Sequence, residues 1–297
     1  MVKSKLDNNI TSWHNSCIDK LEHIESKFRG HRNLNLYYQC WLPSDEPRAI
    51  LLVAHGLAEH SGRYTNIINH FVTRGYAVYG LDHRGHGKSE GLPGYVERLS
   101  YFVNDLETFS GIIRSQHPDT KIFITGHSVG GTIATAYAVH HQDELNGLIL
   151  SGAFLKVGAG VSPGAIIVAR ILSLLLPKLG ISVIDASNIS RDEAVVDAYR
   201  NDPLVYSGKI SARLGTELIK AIQMLPGQIS ALYLPVLIMH GNADRLSDPK
   251  GSKILYDQVS SEDKTLKLYD GFYHEIFNEP GRERVLTDME TWLAARL

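Results

Sequence analysis

The chain has 297 residues, 43% of them apolar and 21% charged, the balance of a folded protein with a substantial core. A formal net charge of −2 without any basic run leaves no electrostatic case for binding nucleic acid. The two cysteines, Cys17 and Cys40, have no metal or redox spacing, and a reduced pair is favoured over a disulfide.

The opening stretch, MVKSKLDNNITSWHNSC, lacks the apolar segment of a secretion signal, which points to a cytoplasmic protein. Residues 25–42 contain LNLYYQCWL and read as an antiparallel strand leading into the fold. Short apolar strands then alternate with helical patterns. Strands are expected at 49–54, 76–81, 121–125, 145–151, 235–240 and 265–269, and helices at 65–74, 101–116, 132–141, 248–259 and 283–297. This alternation predicts an α/β fold with a mostly parallel sheet covered by helices on both faces.

Residues 156–231 break the rhythm: they are helical, rich in Leu and Ile, and show no convincing strand. The expected organisation is a core from 1–155 and 232–297 with a helical cap, 156–231, over the carboxyl ends of the strands, where open α/β sheets bind ligands. The most apolar stretch of the cap, GAIIVARILSLLL at 164–176, is shorter than the roughly 20 residues a membrane span needs. Apolar most of the way round, it calls for a second apolar partner, such as an acyl chain on one side and a membrane surface on the other.

The chemistry is expected at KIFITGHSVGGTIATAYAVHH, residues 121–141. Ser128 falls between a strand and a helix inside G-x-S-x-G, the context in which a serine is held exposed on a strained turn above a sheet. The flanking glycines let strand and helix pass close to the backbone. A second copy of the pattern, Gly160-Val161-Ser162-Pro163-Gly164, follows no strand, and Pro163 lacks the N–H that must help bind an oxyanion. Ser128 is followed by Val129, which has one.

A serine hydroxyl needs a base, and in this arrangement an acid and then a histidine follow in the chain. Beyond His141 only His240 and His274 remain. His240 lies inside the strand VLIMHG and reads as structural, whereas His274 lies in the loop YDGFYHEIFNEP after the last strand. For the acid, Asp244 in HGNADRLSDP is favoured over Asp248, which precedes Pro249 and reads as a helix cap. The second oxyanion donor is expected from the loop AHGLAEHSGRY, as the N–H of Leu57. Zinc is disfavoured because His55, Glu59 and His60 match neither H-E-x-x-H nor H-x-x-E-H. DHRGHGKSEG is not a phosphate loop, because Asp82 stands where a glycine is required.

The segments AHGLAEHSGRY, LDHRGHGKSEG, GHSVGG, AYRNDPLVY, GNADRLSDPKGS and DKTLKLYDGFYHEIFNE together resemble the monoacylglycerol lipase family of α/β-hydrolase-fold serine hydrolases. The likeness runs from about residue 50 onward and includes the cap. It implies an apolar acyl tunnel under a lid, cleavage of monoacylglycerol esters to fatty acid and glycerol, and no metal or organic cofactor. It also implies a polar glycerol end at Glu59, Arg63 and Tyr199. Val129 replaces the family's usual methionine after the serine; Ser247 and Tyr206 stand where animal members carry cysteine, and Phe277 where they carry histidine. A lysophospholipase or general carboxylesterase would share the same catalytic residues, and a non-catalytic binding protein on this fold usually lacks part of them.

Overall fold

A computed structural model describes residues 22–156 and 163–297 of the chain. Cys17 and the decoy serine, Ser162, lie outside the described residues; Cys40 is buried, and burial pushes its thiol up to about 11.

Eight strands form one sheet in the order β1-β2-β4-β3-β5-β6-β9-β10. In chain order these are β1 (Glu22–Arg29), β2 (Asn35–Leu42), β3 (Ile50–Ala54), β4 (Ala77–Leu81), β5 (Ile122–His127), β6 (Gly147–Ser151), β9 (Val236–Gly241) and β10 (Lys264–Tyr269). All neighbours from β4 to β10 run parallel, while β1 and β2 add an antiparallel edge. The segment 25–42, read as one strand, is thus a hairpin. Its turn holds Arg32 and Asn33 at positive φ (59° and 63°), which strand periodicity does not register.

Strands β3, β4, β5, β6 and β9 are buried at every position, as expected of parallel strands covered on both faces. The pleat divides the core. Ile50 and Leu52 of β3 point into one apolar cluster with α2 (Ser100–Gln116) and α3 (Val129–His141), while Leu51 and Val53 point into the other. That second cluster is completed by α1 (Thr65–Val72) and by α8 (Arg282–Ala294).

Between β6 and β9 lie the helices α4 (Pro163–Leu175), α5 (Glu193–Asn201) and α6 (Ala212–Met224). This segment does contain strands: β7 (Gly180–Ser182) pairs antiparallel with β8 (Ile210–Ser211). Two and three residues are too few for any alternation to show in the sequence. Backbone bonds from Tyr206 N–H to Ala58 O (2.8 Å), Ser211 N–H to Gly94 O (2.9 Å) and Glu275 N–H to Ile189 O (2.8 Å) tie the segment to the loops after β3, β4 and β10. It therefore lies over the carboxyl ends of the strands. Helix α7 (Pro249–Gln258) follows β9.

Candidate active site

Ser128 joins β5 to α3 with φ 52° and ψ −122°, a conformation a non-glycine residue adopts only under constraint, at about 1–3 kcal/mol. The constraint comes from both sides. Ser128 N–H donates to Ser151 O (3.0 Å), and its carbonyl accepts from Gly131 N–H and Phe154 N–H (2.9 Å each). The flanking glycines have definite neighbours: a Cβ on Gly126 would stand 2.7 Å from Gly131 Cα, and one on Gly130 would stand 2.1 Å from Ala54 O. Nothing but glycine lets α3 start this close to the end of β3.

The loop after β3 passes just as close. A Cβ on Gly56 would be 3.1 Å from Ser128 Cβ, so the chain just before Leu57 runs against the serine. Leu57 and Val129 both line the cavity that Ser128 faces, and neither N–H donates to a described acceptor. Val129 opens helix α3, whose N-terminal dipole adds positive potential at the same point.

His274 and Ser128 line the same cavity. His274 Nδ1 lies 2.7 Å from Asp244 Oδ2, and both residues are buried. Asp244 Oδ1 accepts from the N–H groups of Leu246 (2.7 Å) and Ser247 (3.0 Å), and Oδ2 also meets His240 Nε2 at 3.0 Å. His240 is fully buried and holds Ser252 Oγ through Nδ1 at 2.7 Å, so it braces the carboxylate from behind. Asp248 instead caps α7 by accepting from Lys250 N–H (2.9 Å) and pairs with Lys156 (2.8 Å). Burial would raise the Asp244 carboxyl, but the two imidazoles outweigh it and hold Asp244 well below the usual carboxylate range. Burial would lower His274; the Asp244 carboxylate outweighs that and raises it above 6.5.

The cavity has a volume of about 410 Å³, inside the range of small-ligand pockets. Most of its wall is apolar, including Phe154, Ile166, Ile181, Val183, Leu218 and Ile219. Its polar side chains include Glu59, His127, Tyr199 and Glu275, next to Ser128 and His274. Arg63 is not on this wall. It lies behind, bonded to Glu59 (3.1 Å) and, through both terminal nitrogens, to Glu275 (2.6 and 2.9 Å), with its guanidinium 4.6 Å from the Tyr199 ring centre.

Sequence reasoning did not single out Glu275 or Glu279. Glu279 is fully buried against Arg191, accepting from its N–H at 2.7 Å and from its guanidinium. The signal was available: two glutamates four apart, the first immediately after His274, in a loop rich in Phe, Tyr and Ile. His60, weighed in the sequence only as a zinc ligand, meets Asp202 through Nε2 at 2.8 Å, a further tie between the β3 loop and the inserted segment. In DHRGHGKSEG, Asp82 accepts from Ser61 N–H and Lys88 N–H (2.8 Å each), and Arg84 forks onto Asp105 (2.6 and 2.7 Å).

Residues 45–281 match the family described as serine aminopeptidase, S33. A monoacylglycerol lipase of Mycolicibacterium smegmatis is 41% identical over 273 residues, which cover 92% of this chain and 98% of that one. The monoglyceride lipase of Homo sapiens is 33% identical over 264 residues, covering 88% and 87%. A soluble variant of monoglyceride lipase from Saccharomyces cerevisiae, solved with a substrate analog, superposes with a TM-score of 0.82 at 27% identity, covering 91% and 94%. The chain belongs to the S33 family of α/β-hydrolase-fold serine hydrolases, in the group that includes the monoacylglycerol lipases.

Proposed function

We propose that the protein hydrolyses monoacylglycerol esters to fatty acid and glycerol through an acyl-enzyme on Ser128. The observation that carries this reading is the strained Ser128 and the His274–Asp244 pair on one wall of an apolar cavity that ends in a small cluster of charges. His274 takes the Ser128 proton as the hydroxyl attacks the ester carbonyl, and the amides of Leu57 and Val129 hold the oxyanion. Protonated His274 then gives its proton to the departing glycerol, and a water activated by the same imidazole clears the acyl group. Glu59 and Tyr199 stand where the glycerol hydroxyls would lie, with Arg63 holding Glu59 from behind.

Because the imidazole must be neutral to act as base, activity falls as pH drops through its pKa. That pKa is raised, so the acid limb of kcat/KM is expected to inflect above 6.5. A limb inflecting at or below 6.5 on a neutral soluble ester would contradict the role of Asp244 beside it.

The inserted segment acts as a cap. Ala165, Ile166 and Ala169 of α4 line the cavity, while Ile167, Val168, Ile171, Leu174 and Leu175 of the same helix are exposed, the last two by 74% and 73%. An exposed apolar stripe on the roof of an acyl cavity fits contact with a lipid surface. Hydrolysis across monoacylglycerols of graded length tests the function directly. Each methylene added within the cavity contributes at most about 0.8 kcal/mol, so kcat/KM is expected to climb with chain length and then level. Leu174→Ser and Leu175→Ser are expected to weaken attachment to vesicles while sparing hydrolysis of a short soluble ester. A flat chain-length profile, with acetyl esters as good as long ones, would remove the acyl cavity from the account; equal losses on vesicles and soluble ester would remove the interfacial role.

A further inference from the structure

The charged end of the cavity is unbalanced. Glu59 and Glu275 are both on its wall, both buried, and share one guanidinium, that of Arg63. Every other nearby group leaves the imbalance in place. His127 is pushed down to about 4 by burial and by His274, so it is neutral near pH 7. Asp244 behind His274 is a third carboxylate, and the phenols of Tyr64 and Tyr199 are raised by burial and stay uncharged. His60 faces Asp202 instead. Glu59 remains ionised, since burial is outweighed by the Arg63 guanidinium and by the bond it accepts from Gly56 N–H.

The arrangement of Arg63 matters as much as the count. A guanidinium beside a polar pocket is ordinarily an anion receptor, because its planar fork matches a phosphate or a carboxylate. Here the fork is already taken: Glu275 Oε1 and Oε2 accept from Nη1 and Nη2, Glu59 accepts a further bond from Nη1, and Tyr199 covers one face. Asn278 Nδ2 donates to Glu275 Oε2 at 2.8 Å and fixes the carboxylate in this pose. We infer that Glu275 is a specificity-determining residue: by occupying the Arg63 fork while standing on the cavity wall, it makes the seat of the leaving alcohol net negative and excludes alcohols bearing phosphate. A glycerol leaving group carries no charge and meets no repulsion. A glycerol phosphate brings one or two negative charges into a buried site with no free lysine or arginine among the described residues that line it, and like charges so placed repel.

This inference rests on the proposed hydrolysis of acylglycerols and goes further by naming which headgroups are refused. The test compares monooctanoylglycerol with monooctanoylglycerol phosphate, both below their micelle concentrations so that surface charge plays no part. The wild type should hydrolyse the neutral ester and discriminate strongly against the phosphate. Glu275→Gln keeps the shape and removes the charge, and it should raise the phosphate-to-neutral ratio of kcat/KM by at least about tenfold, equivalent to 1.4 kcal/mol. The same variant should move the acid limb for the neutral ester to lower pH, because Glu275 is one of the carboxylates that raise His274. A purely structural loss would move neither the ratio nor the limb. If Glu275→Gln fails to fold, the wild type decides through competitive inhibition by the non-hydrolysable octyl ethers of glycerol and of glycerol phosphate. The neutral ether should bind at least about tenfold more tightly. A wild type that hydrolyses both esters equally, or binds both ethers equally, overturns the inference and leaves the proposed function standing; a wild type that hydrolyses neither ester overturns the proposed function itself.

Discussion

Ser128→Ala is expected to reduce kcat by four to six orders of magnitude while KM for a short ester changes little. In serine hydrolases the nucleophile and its base act as a unit, so removing either alone costs nearly as much as removing both, up to about a millionfold in kcat. His274→Ala should therefore fall into the same range. The backbone around Ser128 is held by bonds that do not involve Oγ, from Ser151 O, Gly131 N–H and Phe154 N–H, so the variant should fold and bind. The proposed oxyanion donors, the N–H groups of Leu57 and Val129, also stay in place, which is expected to leave a residual rate above that in water. Two measurements decide the matter: single-turnover hydrolysis, and labelling by a fluorophosphonate, which should vanish in Ser128→Ala and persist in Ser162→Ala. Labelling that survives in the first variant, or disappears in the second, would place the nucleophile elsewhere.

Asp244→Asn carries the second large effect, about ten-thousandfold in kcat with little change in fold. The neighbours of Asp244 dictate which way the new amide must face. Oδ1 accepts from two backbone N–H groups, those of Leu246 and Ser247, so the carbonyl oxygen of an asparagine stays there. The NH2 then takes the place of Oδ2, facing His274 Nδ1 and His240 Nε2. As a donor it forces His274 to accept at Nδ1 and to carry its proton on Nε2, the nitrogen that must receive the serine proton. The imidazole is turned into the wrong tautomer with its position unchanged. His240→Gln, by contrast, removes only the support behind the carboxylate and is expected to cost far less. Near-wild-type turnover in Asp244→Asn would mean that Asp248, or no acid at all, orients His274.

The sheet and the site differ in how plainly the sequence announces them. Fully buried strands such as β3 and β5 are short apolar runs, and the change from ITGHS to VGGTIATA marks the one turn where period and composition switch together. His274 and Asp244 could be found because histidines are scarce after residue 141 and the order of roles along the chain is constrained. What escaped were pairings between distant segments: Arg63 with Glu275, Arg191 with Glu279, His60 with Asp202. Each side chain alone reads as a solvated surface charge, and only the fold, by burying at least one partner of each, makes the pair. The β1–β2 hairpin was missed because its turn relies on non-glycine residues at positive φ, and β7 and β8 because they are shorter than any period.

The ties between the cap and the core are unevenly distributed. The portion from Ile189 to Tyr206 is bonded to the loops carrying His274 and Leu57, through Glu275 N–H, the pair of exposed Arg191 with buried Glu279, Asp202 and Tyr206 N–H. Helix α4 is linked to α6, through Ala169 O with Thr216 Oγ and Arg170 with Gln223. The portion from Ile189 to Tyr206 thus holds the His274 loop, while α4 packs chiefly on α6. These ties to the histidine loop start from Ile189 and Arg191 rather than from α4. Under the proposed function, a long product that displaces α4 on its way out is expected to leave those bonds, and with them the seat of the imidazole, in place for the next turnover.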